Sequence, residues 1–202
     1  MKKFIYFAIF VLISFSLFAD WDPTESHGMH YPQMPDPFGY DVDCNDPRTL
    51  ADDFLCTQSG PINEVHIWIS QRGQIEPTPP LINNIHLSIH TDIPASESPT
   101  GYSMPGELLW SGNFNAAEFI IREPAYVGLQ GWFDPWLPEL ILNDHNWYWQ
   151  VNIEPITDPF IQTEGEIYWL DVTIDSPEEI GWKTSLDHWN DDAVFYDDNN
   201  PP

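Results

Sequence analysis

Short segments in which apolar and polar residues alternate recur along the chain, and each predicts a β-strand. A period of two places successive side chains on opposite faces of a sheet, which is typical of a strand with one buried face. The most regular segments are 63–70, 84–90, 145–153 and 166–174. Less regular candidates are 51–56, 107–111, 116–123, 181–185 and 193–196.

Turn-forming residues separate these segments, and no stretch has the 3.6-residue period of an amphipathic helix. The chain has 20 prolines and 11 glycines, which interrupt it too often for long helices. Eight or nine short strands with loops of similar length predict an all-β fold, an antiparallel β-sandwich of jelly-roll-like form.

The first 19 residues have the composition of a secretory signal peptide. Lys2 and Lys3 precede an apolar run that is too short to span a membrane, and Ala19 ends that run with a small side chain. The predicted organisation is a signal peptide at 1–19, an extended Pro- and Asp-rich arm at 20–49, a sandwich domain at 50–196 and a frayed acidic tail at 197–202.

The charge of the chain excludes several classes of function. Removal of 1–19 takes away two lysines and no acids, so the formal net charge falls from −26 to −28. Such a polyanion lacks the basic surface that nucleic acids and anionic membranes require, and no later segment is apolar enough to span a bilayer. Because aromatic residues make up 15% of the chain, we expect a folded core and not a disordered acidic protein.

Cys44 and Cys56 are the only cysteines in the sequence. Export places them in an oxidising compartment, where two thiols usually pair. We therefore predict a disulfide that closes a short loop and contributes roughly 3 kcal/mol. The alternative is two unpaired cysteines that pack as small core residues.

Several motifs resemble an uncharacterised family of bacterial secreted β-sandwich proteins. They are HGMHYPQMPDP at 27–37, LADDF at 50–54, IHLSIH at 85–90, PGELLW at 105–110, GEIYWLDV at 165–172, GWKTS at 181–185 and DHWNDD at 187–192. The resemblance covers most of the chain after the signal peptide. It implies export to the medium, the periplasm or the cell surface of a bacterium, and it implies a sandwich fold, but no activity, substrate or catalytic residue.

Calcium is the one cofactor that the residue pattern suggests, and none is required. Oxygen ligands at alternate positions, with a closing carboxylate at the twelfth place, match a hard-cation loop; they are Asp41, Asp43, Asn45 and Asp52. Asp46 replaces the usual turn glycine, and Pro47 stiffens the loop. The alternative is a solvated acidic turn.

A second acidic stretch, 187–192, includes Asp191 and Asp192. If the C-terminal strand lies beside 51–56, both acidic stretches can share one ion; otherwise diffuse counter-ions balance the charge. A histidine zinc site is less favoured, because His86 and His90 on one strand lie about 13 Å apart. His66 on another strand can join one of them only if the strand register allows it.

Tryptophans beside polar side chains are candidates for binding sugars, since CH groups stack on indole rings and hydroxyls bond to carboxylates. The candidates are Trp68 with His66, Trp132 and Trp136 in a predicted loop, and Trp169 with Asp171. The alternative is packing between loops and sheet. We predict that Trp147 and Trp149 are core residues.

Common catalytic motifs are absent from the sequence, which lacks G-x-S-x-G, H-E-x-x-H and C-x-x-C. The preferred hypothesis is a secreted, non-catalytic module that binds an extracellular glycan or matrix component, with or without calcium. The alternatives are a structural or adhesive cell-surface protein, and a polysaccharide hydrolase or lyase with paired carboxylates.

Overall fold

A computed structural model describes residues 33–122 and 124–197. All regular secondary-structure elements in this part of the chain are β-strands. In chain order, β1 to β13 are Tyr40–Asp43, Arg48–Leu55, Gly60–Pro61, Val65–Gln71, Asn84–Ile93, Met104–Asn115, Phe119–Ile121, Ala125–Asp134, Glu139–Ile153, Ile161–Gln162, Ile167–Asp175, Ile180–Lys183 and Val194–Asp197. The predicted signal peptide, residues 20–32 of the predicted arm and residues 198–202 of the predicted tail lie outside the described residues. No helix in the described part is both long and apolar enough to cross a membrane.

The strands form two large sheets and one small one. The order of the six-stranded sheet is β4-β12-β1-β8-β9-β7, and a further pairing between β4 and β9 closes the first five of these strands into a ring. The order of the five-stranded sheet is β13-β2-β11-β5-β6, while β10 and β3 pair separately. All named pairs are antiparallel except β1 with β8, so the predicted all-β, antiparallel sandwich is confirmed.

The main core lies between the two large sheets. It consists of buried apolar side chains from alternate strand positions, including Ile67 and Ile69 of β4, Val151 of β9, Leu87 of β5 and Val172 of β11. Burial of one such side chain stabilises the fold by roughly 1.5–3 kcal/mol. Trp149 is fully buried and Trp147 packs against the same cluster, so the expected core role of both is confirmed.

Two strands depart from the sequence interpretation. β1 lies inside the six-stranded sheet between β12 and β8, so residues 40–43 of the predicted arm belong to the sandwich. β8 includes 131–134, which were predicted as loop. Gly131 reads as a turn residue, but here it makes room for a neighbour: a Cβ at Gly131 would lie 2.3 Å from the Tyr40 ring.

The predicted disulfide is not formed, because Cys44 and Cys56 are free, buried thiols. The backbone of Cys44 bonds to Ile174 and that of Cys56 bonds to Glu166. These two partners lie at opposite ends of β11, about 25 Å apart at the rise of an extended strand. A disulfide requires Cα atoms within about 7 Å, so these two cysteines are too far apart to pair. Each packs in a different apolar cluster.

We expect both thiols to be unreactive in the native protein. Burial raises the pKa of Cys44 well above its ordinary value and also raises the pKa of Cys56, and only the thiolate reacts readily. A colourimetric thiol reagent should modify neither cysteine in buffer and both in guanidinium. A native intact mass lower by two hydrogens than that of the reduced chain would contradict this expectation.

Candidate functional site

Three charged or titratable side chains meet in the interior, where β1, β9 and β12 lie close together. His145 Nε2 lies 2.9 Å from Asp41 Oδ2, and Lys183 Nζ lies 3.0 Å from the same oxygen. All three side chains are 0% exposed. Lys183 also donates to the Gly39 carbonyl at 3.2 Å. Solvent and ligands therefore have no access to this group, which links three strands of the sheet.

A second internal ion pair joins β1 to β2. Asp43 is on the same face of β1 as Asp41, and it pairs with Arg48, whose other nitrogen lies 3.5 Å from Asp134. Burial raises the pKa of Asp43, and the Arg48 charge opposes that shift. The guanidinium also stacks over Trp136 at 4.8 Å from the ring centre.

The predicted calcium loop is not formed, which corrects the sequence interpretation. Asp41 and Asp43 are strand residues that are already paired with cations, and the Asn45 amide donates to the Glu178 carbonyl at 2.6 Å. Asp52 lies on β2 in the other sheet. The alternate spacing of the first two acids therefore reflects one face of a strand and not a metal-binding loop.

The condition for a shared ion, that the C-terminal strand lies beside β2, is met, since β13 pairs with β2. Asp191 Oδ2 accepts hydrogen bonds from Ser103 N and Oγ at 2.7 and 2.6 Å, and these bonds lower the pKa of Asp191. Asp192 is exposed, whereas burial raises the pKa of Asp52 to about 6. In 33–122 and 124–197, none of these acids belongs to a group of three or more His, Cys, Asp or Glu residues whose ligand atoms are close enough to share one metal ion. Calcium binding elsewhere stays a prediction.

Two of the candidate tryptophans pack inside the protein, as the alternative interpretation had it. Trp132 and Trp169 are 0% exposed, so neither ring offers a face to an external sugar. Trp169 Nε1 donates to Asp92 at 2.9 Å. One face of Trp136 is occupied by the guanidinium described above. Trp68 is half-buried in β4, and sugar binding by it and by its neighbour His66 stays a prediction.

The outer face of the five-stranded sheet carries polar side chains in line. One row crosses all five strands: Tyr196 of β13, Thr49 of β2, Thr173 of β11, His86 of β5 and Asn113 of β6. Thr49 and Thr173 share a hydrogen bond of 2.7 Å, and His86 Nδ1 lies 3.1 Å from Asn113 Oδ1. Because opposite residues in antiparallel strands point to the same side, these groups form one continuous line.

A second row runs beside the first. Asp171 of β11 lies opposite Ser88 of β5, which lies opposite Ser111 of β6. His90 Nε2 is 3.1 Å from Asp171 and 3.2 Å from Ser88 Oγ, while its Nδ1 faces the Gly106 carbonyl. One nitrogen faces both the acid and the alcohol, so the three side chains are not arranged as a proton-relay triad. Burial raises the pKa of Asp171, and the His90 charge opposes this shift.

We call this surface the polar face, and it consists of Thr49, His86, Ser88, Ser111, Asn113, Asp171 and Thr173, of which Ser88 is buried and Asp171 is only 14% exposed. It contains hydroxyl, amide, imidazole and carboxylate groups but no lysine, arginine or large apolar side chain. Such a surface can exchange hydrogen bonds with a polar ligand, but it offers little apolar area for a protein partner.

Sequence reasoning identified part of the polar face. Asp171 was a candidate ligand residue, and His86 and His90 were considered as zinc ligands. It missed Thr49, Ser111 and Asn113, since their alignment depends on a register that one-dimensional patterns do not contain. It also missed Glu64 and Glu154, which lie with His66 in one group near the ends of β4 and β9.

Comparison with known proteins identifies a family but no function. A family model described as a domain of unknown function (DUF7901) matches residues 29–201. No curated protein and no solved structure matches the chain.

Proposed function

Since the chain belongs to this family, whose description assigns no activity, we propose its function from the chemistry of the polar face. We propose that the protein is an exported, non-catalytic module that binds an uncharged glycan on this face. The composition of 1–19 supports export to the periplasm, the cell surface or the medium of a bacterium.

The carrying observation is the row of hydrogen-bonding side chains that crosses five strands. Neighbouring strands lie about 4.8 Å apart, so donors and acceptors recur at short, regular intervals along the face. A polysaccharide presents hydroxyls in a similar repeating manner. Tyr196, which is 42% exposed, adds an aromatic surface at one end of the row on which a sugar ring can stack.

Electrostatics favours a neutral ligand. The formal charge of −28 without the signal peptide repels acidic polysaccharides and nucleic acids, and the polar face has no cation to offset that repulsion. The same charge opposes close self-association, which makes the structural or adhesive alternative less favoured.

The hydrolase alternative receives little support from the carboxylates that the structure brings together. Paired catalytic carboxylates are about 5–9 Å apart with a sugar between them. Glu64 and Glu154 instead share a hydrogen bond that helps to raise the pKa of Glu154, which leaves no room for a sugar between them.

Affinity electrophoresis against neutral polysaccharides, such as β-glucan, xylan, mannan and starch, tests the proposal with calcium and with EDTA. We expect at least one polysaccharide to retard the full chain. The double variant His86→Ala/Asn113→Ala should weaken binding about tenfold or more, because it removes two polar partners that are each worth about 1 kcal/mol.

The matched control is Gln58→Ala, an exposed position outside the polar face, which should bind as the parent does. Melting temperatures of all variants establish that they are folded. Absence of retardation by every polysaccharide, or equal binding by the double variant and the parent, would overturn the proposal.

A further inference from the structure

Two glutamates stand opposite each other where β4 begins and β9 ends. Val65 pairs with Ile153 in antiparallel register, so the next position places Glu64 opposite Glu154. Like charges directly opposite each other destabilise a sheet. His66 lies two residues after Glu64 and therefore projects from the same face.

We propose that Glu64, His66 and Glu154 form a binding site for a divalent transition-metal ion, for which Zn²⁺ is the best fit. One ligand atom from each residue lies within 4.8 Å of the other two. Zinc–oxygen and zinc–nitrogen bonds of about 2.1 Å at the tetrahedral angle place two ligands about 3.4 Å apart. Rotation of the two glutamate side chains brings their oxygens to this distance.

The charges at this position favour a cation. Glu64 and Glu154 face each other across neighbouring strands, and like charges directly opposite each other repel. A divalent ion between them neutralises both carboxylates.

The set of ligands selects the kind of ion. Calcium and magnesium bind oxygen ligands, whereas an imidazole with two carboxylates suits zinc and its neighbours in the first transition series. Three protein ligands leave a fourth tetrahedral position for water or for an external group. This site is separate from the polar face and does not depend on glycan binding.

An outer contact orients the imidazole. The Gln150 amide lies 3.4 Å from His66 Nδ1 and 2.7 Å from Asn152 Oδ1. Rotation of both amides by 180° exchanges oxygen and nitrogen with little change in shape. Gln150 would then accept a hydrogen bond from Nδ1–H, which leaves Nε2 as the metal-binding nitrogen and fixes the ring plane.

Isothermal titration of the full chain with ZnCl₂, after dialysis against EDTA and then buffer, tests the proposal without any glycan. We expect one ion per chain with a dissociation constant in the micromolar range or below. Glu64→Gln and His66→Ala should each weaken zinc binding by about 100-fold or more, because loss of an outer-shell partner alone costs about 10–100-fold and these residues are direct ligands. Glu64 is exposed, so the first of these variants should fold as the parent does.

Matched controls are Glu164→Gln and His188→Ala, which alter an exposed glutamate and an exposed histidine elsewhere, and both should bind zinc as the parent does. Cobalt provides a second readout, because Co²⁺ bound at a four-coordinate site absorbs visible light. No stoichiometric zinc binding by the parent, or equal binding by Glu64→Gln, would overturn the proposal.

Discussion

Replacement of Lys183 by methionine is expected to lower the free energy of unfolding by about 3–5 kcal/mol. The substitution keeps much of the side-chain volume but removes the positive charge beside Asp41. That carboxylate is 0% exposed, so it cannot recover its hydration when the lysine is lost. Removal of one partner from a buried ion pair leaves an uncompensated buried charge, which costs far more than loss of the pair as a whole. Urea unfolding at pH 7 measures the effect.

The matched control is Arg72→Met, which breaks the ion pair with Glu179 on the surface. The two side chains are 29% and 55% exposed, and we expect a loss below about 1 kcal/mol. The double variant Asp41→Asn/Lys183→Met should recover part of the stability lost in Lys183→Met, because it removes both charges. A loss in Lys183→Met no larger than in Arg72→Met would show that the internal pair contributes little.

Replacement of Asp52 by asparagine is expected to stabilise the protein above pH 6. Burial raises the pKa of Asp52 from 3.8 to about 6 in the folded protein. Between about pH 4 and 6 the folded state thus retains a proton that the unfolded chain has released, so stability falls as the pH rises through this window. Each pH unit is worth about 1.4 kcal/mol. We expect a gain of about 1–3 kcal/mol for Asp52→Asn at pH 8.

Unfolding curves at several pH values measure this effect. The two proteins should have nearly equal stability at pH 4, where the folded parent is protonated at Asp52, and should diverge by pH 6. Asp187→Asn, at an exposed position, provides the control and should follow the parent within about 0.5 kcal/mol throughout. A constant difference between Asp52→Asn and the parent at all pH values would contradict the assignment of the titration to this carboxyl.

Local patterns predicted the strands that face the core on one side only. Apolar and polar residues alternate strictly in β4, β5 and β11, because one face of each strand packs on the other sheet and the other face is wholly or partly exposed to solvent. The long, regular half of β9 was predicted for the same reason. These four strands contribute most of the main core, so the fold class followed from them.

β1 could not be predicted in this way because the side of the strand that carries its acidic residues is buried. Asp41 and Asp43 are 0% and 1% exposed, yet a sequence pattern assigns such acids to the surface. A signal was present in the composition: only four basic residues follow position 19, and Lys183 and Arg48 are two of them. Basic residues that are so rare are good candidates for ion pairs with buried acids. Which acids they pair with depends on the order of the strands in the sheet.

The candidate sites depended on register for the same reason. Glu64 and Glu154 are 90 positions apart in the chain, and nothing local indicates that their strands end side by side. The disulfide prediction was wrong for the same reason. Cys44 and Cys56 are close in sequence, which suggested a short disulfide-closed loop, but the chain between them crosses from one sheet to the other. Residue types therefore suggested which chemistries were available, and the pairing of strands decided which side chains meet.

The pairing of β4 with β9 has a consequence for aggregation. Each strand in the closed ring has a hydrogen-bonded neighbour on both sides, so in the described part of the six-stranded sheet only β7, of three residues, ends the order. The other sheet ends in β13, of four residues, and in β6, of twelve, so β6 is the longest unpaired edge among the described strands. Unpaired edges are where strands of other chains add to form aggregates. β6 contains Pro105, which has no amide hydrogen to donate, and its register with β5 shifts at two points. These irregularities make β6 a poorer template for an incoming strand than its length suggests.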